Sequence, residues 1–252
     1  MFLREETMKI RNIALFVLLS GAATTALAGA PHWEYKGKHG AEHWGDLTSD
    51  FSTCKNGVNQ SPIDISSTID AMLPELDINY RASQVSLVNN GHTIQANIAG
   101  ENTFKNDAGE FALKQFHFHS PSENTVNGKS YPLEMHFVHA DPSGNLAVIG
   151  VMFEQGKENQ ALTGLWQDMP AEKNKPVSLA KHFESKQLLP DNKEYFRFNG
   201  SLTTPPCSEG VRWFVMQEPL QVSPEQIKKF RSVMPGDTNR PVQSINARVV
   251  LR

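Results

Sequence analysis

Two short segments of strictly alternating character constrain this chain more than any other feature. In residues 115–119 (QFHFH) and 134–137 (EMHF), glutamine, histidine or glutamate alternates with phenylalanine or methionine, and Val138 follows on the face of His136. Side chains two residues apart share one face of a β-strand. His117 and His119 are therefore expected to project together from one strand, and Glu134 and His136 from another. If the two strands are neighbours, three imidazoles converge beside one carboxylate.

Three neutral imidazoles with a fourth position left open are the ligand set of a catalytic zinc site. A lone histidine in a strand is more often a hydrogen-bonded core or surface residue, and most of the other six of the nine histidines are read in that way. His117 and His119 differ because two imidazoles among phenylalanines need partners that compensate their desolvation. The spacing favours a metal site over structural histidines, but it identifies neither the metal nor the reaction.

The overall composition is that of one globular domain. The chain has 252 residues, 39% of them hydrophobic and 20% charged, which is ordinary for a soluble domain of moderate size. No linker, repeat or low-complexity stretch divides residues 29–252, so a single domain is expected there. The net charge of -3 and the lack of a basic cluster argue against a nucleic-acid partner.

Residues 1–28 are typical of a secretory signal peptide. A basic stretch with Lys9 and Arg11 precedes an apolar run over 13–19, and residues 26–28 (ALA) form a small-residue cleavage signature. The run is too short for a spanning helix, and no cysteine follows it for a lipid anchor. Met8 is a plausible true start, because the acidic pair at 5–6 is unusual in a signal peptide. The mature chain is expected in the periplasm or secreted, without membrane attachment.

The chain has two cysteines, Cys54 and Cys207. In an oxidising compartment a solitary pair is expected to form a disulfide rather than two buried thiols. Closing a loop of this length stabilises a chain by about 5 kcal/mol in the chain-entropy model. Cys207 follows Thr203 and Thr204 closely, so the bridge is also expected to fix that loop.

Short alternating segments dominate the rest of the chain. Strands are predicted at 85–89, 92–97, 112–119, 133–139, 146–153 and 211–216, with a hairpin turn at Asn90-Gly91. Helices are predicted from Lys157 to Asp168 and, with Ser223 as N-cap and Gln226 completing a capping box, to about Met234. The expected fold is mainly β (α+β): one domain on a large twisted, mostly antiparallel sheet with a few peripheral helices.

At this point the sequence is similar to the alpha class of carbonic anhydrases. The resemblance runs from about residue 32 to the C-terminus. Eight segments carry it in the order of that family: 32–35 (HWEY), 42–44 (EHW), 59–64 (NQSPID), 89–92 (NNGH), 115–123, 134–139, 200–206 (GSLTTPP) and 239–243 (NRPVQ).

The resemblance implies an activity and a cofactor. The family hydrates carbon dioxide reversibly to bicarbonate and a proton, with zinc-bound hydroxide as nucleophile, and is the standard example of a zinc site that acidifies bound water. By resemblance His117, His119 and His136 are the Zn²⁺ ligands. Three neutral ligands leave the charge of the metal uncompensated, which is the physical reason for that acidification. Dimers are common among bacterial relatives, so a homodimer is considered as well.

The resemblance also implies residues around the metal. Gln115 would orient His117, and Glu134 would orient His136, as partners of ligand histidines usually do. Glu123 and Thr203 match an acid–hydroxyl pair that aims the hydroxide at carbon dioxide. The implied substrate pocket consists of Val138, Val148, Leu202, Thr204, Val211 and Trp213.

Regenerating the nucleophile needs a proton acceptor with a pKa near ambient pH, and an imidazole is the natural choice. His92 matches the proton-shuttle position of the family. Without the resemblance it would be an exposed hairpin histidine with no role. Tyr35, Asn90 and Gln95 match residues that order the intervening waters, although many relatives carry asparagine where this chain has Gln95.

Three alternatives stay open at this stage. A cupin metalloenzyme would use His117, His119 and Glu123 as ligands, but Phe111 stands where its motif needs glycine, and it would prefer iron or manganese to zinc. A non-catalytic binding module is disfavoured because all three histidines are retained. A metal-storage role would leave Thr203 and the apolar pocket without a purpose.

Overall fold

Fifteen strands and four α-helices are formed by residues 31–107 and 109–252, the part of the chain that the computed structural model describes. The predicted signal peptide, its cleavage after residue 28 and the alternative start at Met8 lie outside the described residues. The helices are α1 (Trp44–Leu47), α2 (Thr53–Asn56), α3 (Gln160–Gln167) and α4 (Pro224–Ser232), and three 3-10 turns cover Gly37–His39, Ser49–Phe51 and Ser185–Leu188. The strands are β1 (Asp64–Ile65), β2 (Thr68–Ile69), β3 (Asp77–Asn79), β4 (Val85–Asn89), β5 (Ile94–Ile98), β6 (Thr103–Asn106), β7 (Gly109–His119), β8 (Thr125–Val126), β9 (Leu133–Ala140), β10 (Leu146–Gln155), β11 (Val177–Ser178), β12 (Tyr195–Ser201), β13 (Glu209–Met216), β14 (Leu220–Val222) and β15 (Val250–Leu251).

Thirteen of these strands form one mixed sheet. Its main path runs β11-β4-β5-β7-β9-β10-β13-β12-β15-β2, while β14 pairs with β10, β6 with β7, and β3 with β6. The pairs β10–β13, β10–β14 and β15–β2 are parallel, and the others in this sheet are antiparallel. Strands β1 and β8 form a separate parallel pair. The predicted class, a mainly β fold on a large, mostly antiparallel sheet with few helices, is confirmed.

The two alternating segments lie on neighbouring strands, as the candidate site requires. Strands β7 and β9 pair antiparallel, with His117 opposite His136 and His119 opposite Glu134. A register shift between Leu113 and Gln115 marks a bulge that precedes the histidine segment of β7. The sequence therefore brings three imidazoles to the middle of the sheet.

The two faces of the sheet bury different sets of side chains. One face packs the phenylalanines of β7 and β9 into the larger core, with Leu162 and Trp166 of α3 and Phe230 of α4. Burying a side chain of this size stabilises the fold by about 1.5–3 kcal/mol, so this face anchors both strands. The opposite face carries the histidines and a smaller apolar cluster that includes Val148 and Trp213.

Several predicted element boundaries were wrong by two or three residues, such as the start of β7 at Gly109 rather than at 112, and two of the differences have a clear local cause. Strand β5 begins at Ile94 rather than at 92, because residues 90–93 form a loop in which the N–H of Asn90 donates to the carbonyl of Thr93. Helix α3 begins at Gln160 rather than at 157, because Asn159 is its N-cap and accepts from the N–H of Leu162. The capping box of Ser223 and Gln226 on α4 is confirmed, and this helix ends at 232.

A disulfide joins Cys54 of α2 to Cys207 in the loop between β12 and β13. The predicted pairing of the two cysteines is therefore present. Among residues 31–107 and 109–252, no helix combines the length and apolar character that crossing a bilayer requires.

Candidate metal centre and its cleft

The site begins with three histidines on two neighbouring strands. His117, His119 and His136 each offer a ring nitrogen, and these ligand atoms all lie within 4.8 Å of one another. His119 and His136 are buried, and His117 is partly exposed. The imidazoles therefore converge on one point that remains accessible from the side of His117.

Each of the three rings has its outer nitrogen fixed by an acceptor. His117 Nδ1 lies 2.8 Å from Oε1 of Gln115, and His136 Nε2 lies 2.8 Å from Oε1 of Glu134. His119 Nδ1 lies 2.6 Å from the carbonyl oxygen of Thr238. An acceptor on one nitrogen places the proton there and leaves the lone pair on the other. The free lone pairs are thus Nε2 of His117 and His119 and Nδ1 of His136.

The electrostatics of the cluster favour neutral imidazoles. Burial lowers the pKa of His117 and of His136 well below the ordinary value, and the neighbouring histidines lower both further. Burial also lowers the pKa of His119, although the Thr238 carbonyl opposes the shift. Neutral imidazole is the form that binds a metal, so the cluster is ready to bind one at neutral pH.

A metal ion would satisfy a polar atom that has no hydrogen-bond partner. His119 Nε2 is buried and accepts or donates no hydrogen bond. A buried nitrogen without a partner is costly and calls for an explanation such as a bound ion. Three nitrogen donors converging on this point fit Zn²⁺, which takes such ligands in a tetrahedral arrangement.

Glu134 joins its own strand, β9, to the loop that precedes it in the chain. Its Oε2 accepts the backbone N–H groups of Glu123 and Asn124 at 2.7 and 2.8 Å, and its Oε1 accepts from Asn124 Nδ2 at 2.8 Å. Burial raises the pKa of Glu134, and the hydrogen bonds from Asn124 and the charge of His119 oppose that rise. The carboxylate therefore holds both His136 and the loop that carries Glu123.

Glu123 is a second buried carboxylate beside the cluster. Its Oε1 accepts the backbone N–H of Arg240 at 2.9 Å, and its Oε2 lies 3.5 Å from His119 Nε2 and 3.9 Å from His136 Nδ1. Burial raises its pKa well above the usual range, while Arg240 and the Thr203 hydroxyl lower it. The Thr203 side chain thus faces this carboxylate, although no hydrogen bond of ordinary geometry reaches Oε2.

An apolar wall adjoins the histidines. Val138, Val148 and Trp213 lie opposite one another in register on β9, β10 and β13. The Trp213 ring stands edge-on to His136 with 4.9 Å between the ring centroids. The predicted pocket residues Val138, Val148, Leu202, Val211 and Trp213 all belong to this one apolar cluster.

Gly200 allows close packing behind Trp213, one residue of this apolar wall. A Cβ at this position would lie 2.1 Å from Ser61 Oγ and 3.0 Å from Trp213 Cδ1. Trp213 Nε1 donates to the carbonyl of Ser201 at 3.1 Å. Glycine is needed here because the loop at Ser61 and the Trp213 ring both contact the strand.

The Thr203–Thr204 loop is anchored at the disulfide. The N–H of Cys207 donates to the carbonyl of Thr204 at 2.8 Å, and Gln60 Nε2 donates to the carbonyl of Cys207 at 3.1 Å. Cys207 has a φ of 57°, which a non-glycine residue adopts only where its surroundings hold it. These contacts support the expected link between the bridge and the loop.

His92 lies in a cavity of about 380 Å³ that Tyr35, Asn90 and Lys173 also line. The ring is half-buried and stacks on Trp33, with centroids 3.7 Å apart and the planes 8° from parallel. Tyr35 stands edge-on to it at 6.3 Å. His92 is therefore held on an aromatic platform rather than free in the hairpin.

Burial lowers the pKa of His92, and the charges of His32 and Lys173 lower it further, while Glu34 opposes them. Two of its predicted water-ordering neighbours have protein partners instead. Asn90 Oδ1 accepts the N–H groups of His92 and of residue 93 at 2.9 Å, and Gln95 Nε2 donates to the side chain of residue 97 at 2.7 Å. Their role toward water stays a prediction.

Two supporting groups escaped the sequence analysis. The Thr238 carbonyl that orients His119 belongs to a loop 119 residues away, and a backbone acceptor leaves no signal in side-chain patterns. Arg240 is buried, with Nη1 donating to Gln60 Oε1 and to the Ser61 carbonyl at 2.8 Å and Nη2 donating to the Cys54 carbonyl at 2.9 Å. A buried arginine cannot be told from a surface one in a single sequence.

Comparison with known proteins agrees with the metal site that this geometry indicates. The family model described as eukaryotic-type carbonic anhydrase matches residues 39–252. A carbonic anhydrase of Klebsiella pneumoniae is 48% identical over 241 residues, which cover 92% of this chain and 98% of that protein. The cupin alternative is thereby excluded.

Solved structures give the same result for the fold. An alpha-carbonic anhydrase from Thermovibrio ammonificans, in complex with the inhibitor sulfanilamide, matches with a TM-score of 0.87 and 51% identity over 89% of this chain and 100% of that one. Dioscorin complexed with ascorbate matches with a TM-score of 0.82 and 32% identity over 87% and 97% of the two chains. The same fold thus occurs with different ligands, and the function has to be argued from the site.

Proposed function

The chain belongs to the eukaryotic-type, or alpha, carbonic anhydrase family, and we propose that it hydrates carbon dioxide at a zinc ion held by His117, His119 and His136. Membership in this family implies an enzyme that interconverts carbon dioxide and bicarbonate. The observation that carries the proposal is the convergence of three neutral imidazoles, each with its outer nitrogen fixed, beside an apolar wall.

The chain would bind zinc through Nε2 of His117, Nε2 of His119 and Nδ1 of His136. Gln115, Glu134 and the Thr238 carbonyl hold the rings in these orientations before the metal arrives. When bound, zinc supplies an acidified water molecule, for which carbonic anhydrase is the standard example with a pKa of about 7. Because the protein ligands are neutral, none of them offsets the positive charge that this acidification requires.

Thr203 and Glu123 would orient the attacking oxygen. The Glu123 carboxylate is fixed by the N–H of Arg240 and faces the Thr203 hydroxyl. A threonine whose hydroxyl donates a hydrogen bond to this carboxylate could only accept one from a solvent molecule at the metal. That constraint aims a lone pair of the solvent oxygen at the substrate.

The apolar wall would hold carbon dioxide. The molecule offers little for hydrogen bonding, so its binding depends on excluding water from an apolar surface. Val148 and Trp213 are buried in this surface, and Val138 is partly exposed at it. Thr204, at the edge of the same loop as Thr203, would contact the product bicarbonate.

His92 would carry the proton from the cleft to the solvent. Its neutral form is favoured by burial, and a neutral imidazole can accept a proton from the cleft. Tyr35, Asn90 and Gln95 would order the waters between the metal and His92. The cavity that contains His92 is where buffer molecules would take the proton away.

We also propose export to the periplasm or outside the cell, with the signal peptide removed after residue 28. The disulfide between Cys54 and Cys207 supports an oxidising compartment. N-terminal sequencing of the exported protein tests the cleavage, and finding Met1 or Met8 would refute it. A homodimer, expected from the resemblance alone, stays a prediction for analytical ultracentrifugation.

Stopped-flow hydration of carbon dioxide with a pH indicator, together with zinc analysis, tests the function. The wild type is expected to bind zinc at the histidine cluster and to be active, whereas His136→Ala should lose both zinc and activity. A folded wild type that holds zinc without hydrating carbon dioxide would instead support a binding module of the kind that shares this fold.

A further inference from the structure

A second group of metal-ligating side chains lies at the start of the described chain. His32, Glu34 and His39 each offer one ligand atom, and these atoms lie within 4.8 Å of one another. Apart from the central histidines, this is the one such group of three or more found within 31–107 and 109–252. Nothing in the proposed catalytic cycle uses it.

The backbone brings the three side chains together. The N–H of Glu34 donates to the carbonyl of His39 at 2.9 Å, which closes a loop between them. Gly37, with a φ of 76°, begins the 3-10 turn that reverses the chain inside this loop. The hydrogen-bonded loop therefore fixes the backbone at Glu34 and His39, from which two of the three side chains extend.

The distances within the group are short enough for the three side chains to bind one metal ion. His32 Nε2 lies 3.5 Å from Oε1 of Glu34, and the rings of His32 and His39 stand edge-to-face with centroids 5.5 Å apart. The side chains of His32 and Glu34 are 68% and 53% exposed. Lys36, in the same loop, pairs with Asp237 at 2.7 Å and so directs its charge elsewhere.

We propose that His32, Glu34 and His39 form a peripheral site for a divalent transition-metal cation such as Zn²⁺. Two imidazoles and one carboxylate are ligands that Zn²⁺ and Ni²⁺ accept, whereas Mg²⁺ and Ca²⁺ prefer sites made of oxygen alone. Because the group is exposed, water completes the coordination. Binding is reversible and weaker than at the buried histidine cluster.

The position of this site connects it to the proton relay, a consequence that rests on the proposed function. Trp33 lies between two of the ligands in sequence and stacks on His92. His32 and Glu34 line the same cavity as His92, with Lys173 as the other charged group acting on it. A cation bound here adds positive charge where His92 must take up a proton, so it slows turnover in weak buffer.

Equilibrium dialysis of the zinc-loaded protein against Zn²⁺, with metal analysis, tests the site without reference to activity. The wild type should take up a second equivalent that Mg²⁺ does not displace. His39→Ala removes one of the three ligands. The affinity for the second equivalent should therefore fall by at least roughly tenfold, which is the loss that follows when a metal site loses only a residue that orients a ligand.

The matched control is His43→Ala. His43 is also exposed and lies 3.2 Å from a carboxylate oxygen of Glu42, but this pair offers two ligands rather than three. The control should bind the second equivalent as the wild type does. Uptake of one equivalent only by the wild type, or equal losses in His39→Ala and His43→Ala, would overturn the site.

Turnover in weak buffer gives a separate readout for the link to His92. Added Zn²⁺ should slow the wild type and His43→Ala but not His39→Ala. A second equivalent that binds without slowing turnover would overturn the link and leave the site standing. A protein without any hydratase activity would refute the proposed function, while the dialysis result would still decide the site.

Discussion

His136 Nε2 lies 2.8 Å from Oε1 of Glu134, two residues earlier on the same strand. This contact turns Nδ1 of His136 toward the cluster, whereas His117 and His119 present Nε2. Glu134 therefore decides which nitrogen of His136 is free to bind a metal. Its other oxygen is occupied by two backbone N–H groups, so the carboxylate cannot move without losing them.

Glu134→Gln should weaken zinc binding. All the groups around the carboxylate donate to it, so an amide NH₂ faces a donor in either orientation. The expected loss is about 10–100-fold in zinc affinity and about 1–3 kcal/mol in stability. Competition with a chelator and urea unfolding measure the two. Gln115→Ala is the comparison and should lose less, because water can replace its contact with the partly exposed His117.

Thr203→Val should lower activity without disturbing the fold. Valine keeps the shape of threonine but can neither donate to Glu123 nor accept from the attacking solvent molecule. We expect kcat/KM to fall by roughly a hundredfold, as for loss of one orienting polar group in other enzymes, with zinc content unchanged. Thr203→Ser should restore most of the activity. A valine variant as active as the wild type would remove Thr203 from the mechanism.

His92→Ala should slow turnover in weak buffer, and added imidazole should restore part of it, while kcat/KM stays close to that of the wild type.

The wild type also has a predicted pH dependence. His92 accepts a proton only while neutral, and burial lowers its pKa below the ordinary 6.5. The relay should therefore stay active as pH falls to 6.5 and fail only below it. Stopped-flow rates against pH test this, and a variant with normal turnover in weak buffer would rule out the relay.

Removing the disulfide by Cys54→Ser with Cys207→Ser should cost up to about 5 kcal/mol of stability, the chain-entropy value for so long a loop. Activity should fall as well, because Cys207 anchors the loop of Thr203 and Thr204. Urea unfolding and kcat/KM at a temperature where the variant is folded separate the two effects. Stability lost with kcat/KM unchanged would mean that the loop holds its shape without the bridge.

The buried His139 should make the fold sensitive to acid. Its Nε2 lies 2.6 Å from the Tyr80 hydroxyl, and burial lowers its pKa from 6.5 to about 3. The unfolded chain binds this proton below 6.5 and the folded chain does not until about 3. The free energy of unfolding should therefore decrease as the pH is lowered from 6.5 to about 3, by about 1.4 kcal/mol per pH unit for this group.

Urea unfolding of the zinc-loaded protein between neutral and acid pH measures this slope. His139→Gln removes the titrating group and should flatten the slope, whereas substitution of the exposed His182 by Gln should leave it unchanged. Equal slopes in the wild type and in His139→Gln would show that His139 does not contribute.

The parts of the site that the sequence predicted are local ones. Alternation with a period of two is a property of a single strand, so it placed His117 and His119 on one face with Gln115, and His136 on one face with Glu134. The phenylalanines between them are buried in the opposite core. Alternation within each strand does not show that β7 pairs with β9, and the register of His117 with His136 establishes that pairing.

The parts that could not be predicted are contacts between distant loops. The Thr238 carbonyl reaches His119 across 119 residues, and Arg240 joins the loop at Gln60 to Glu123 through one side chain and one backbone N–H. Neither contact repeats with a period or changes the local composition. The roles proposed for Tyr35, Asn90 and Gln95 depend on water positions, which a sequence does not encode.

Anomalous diffraction at the zinc absorption edge, from crystals of the zinc-loaded protein, tests the central claim most directly. The account predicts a strong peak about 2.0–2.1 Å from Nε2 of His117, Nε2 of His119 and Nδ1 of His136. A cleft without a peak there in excess zinc, or a metal bound through Nε2 of His136 with the contact to Glu134 broken, would contradict it.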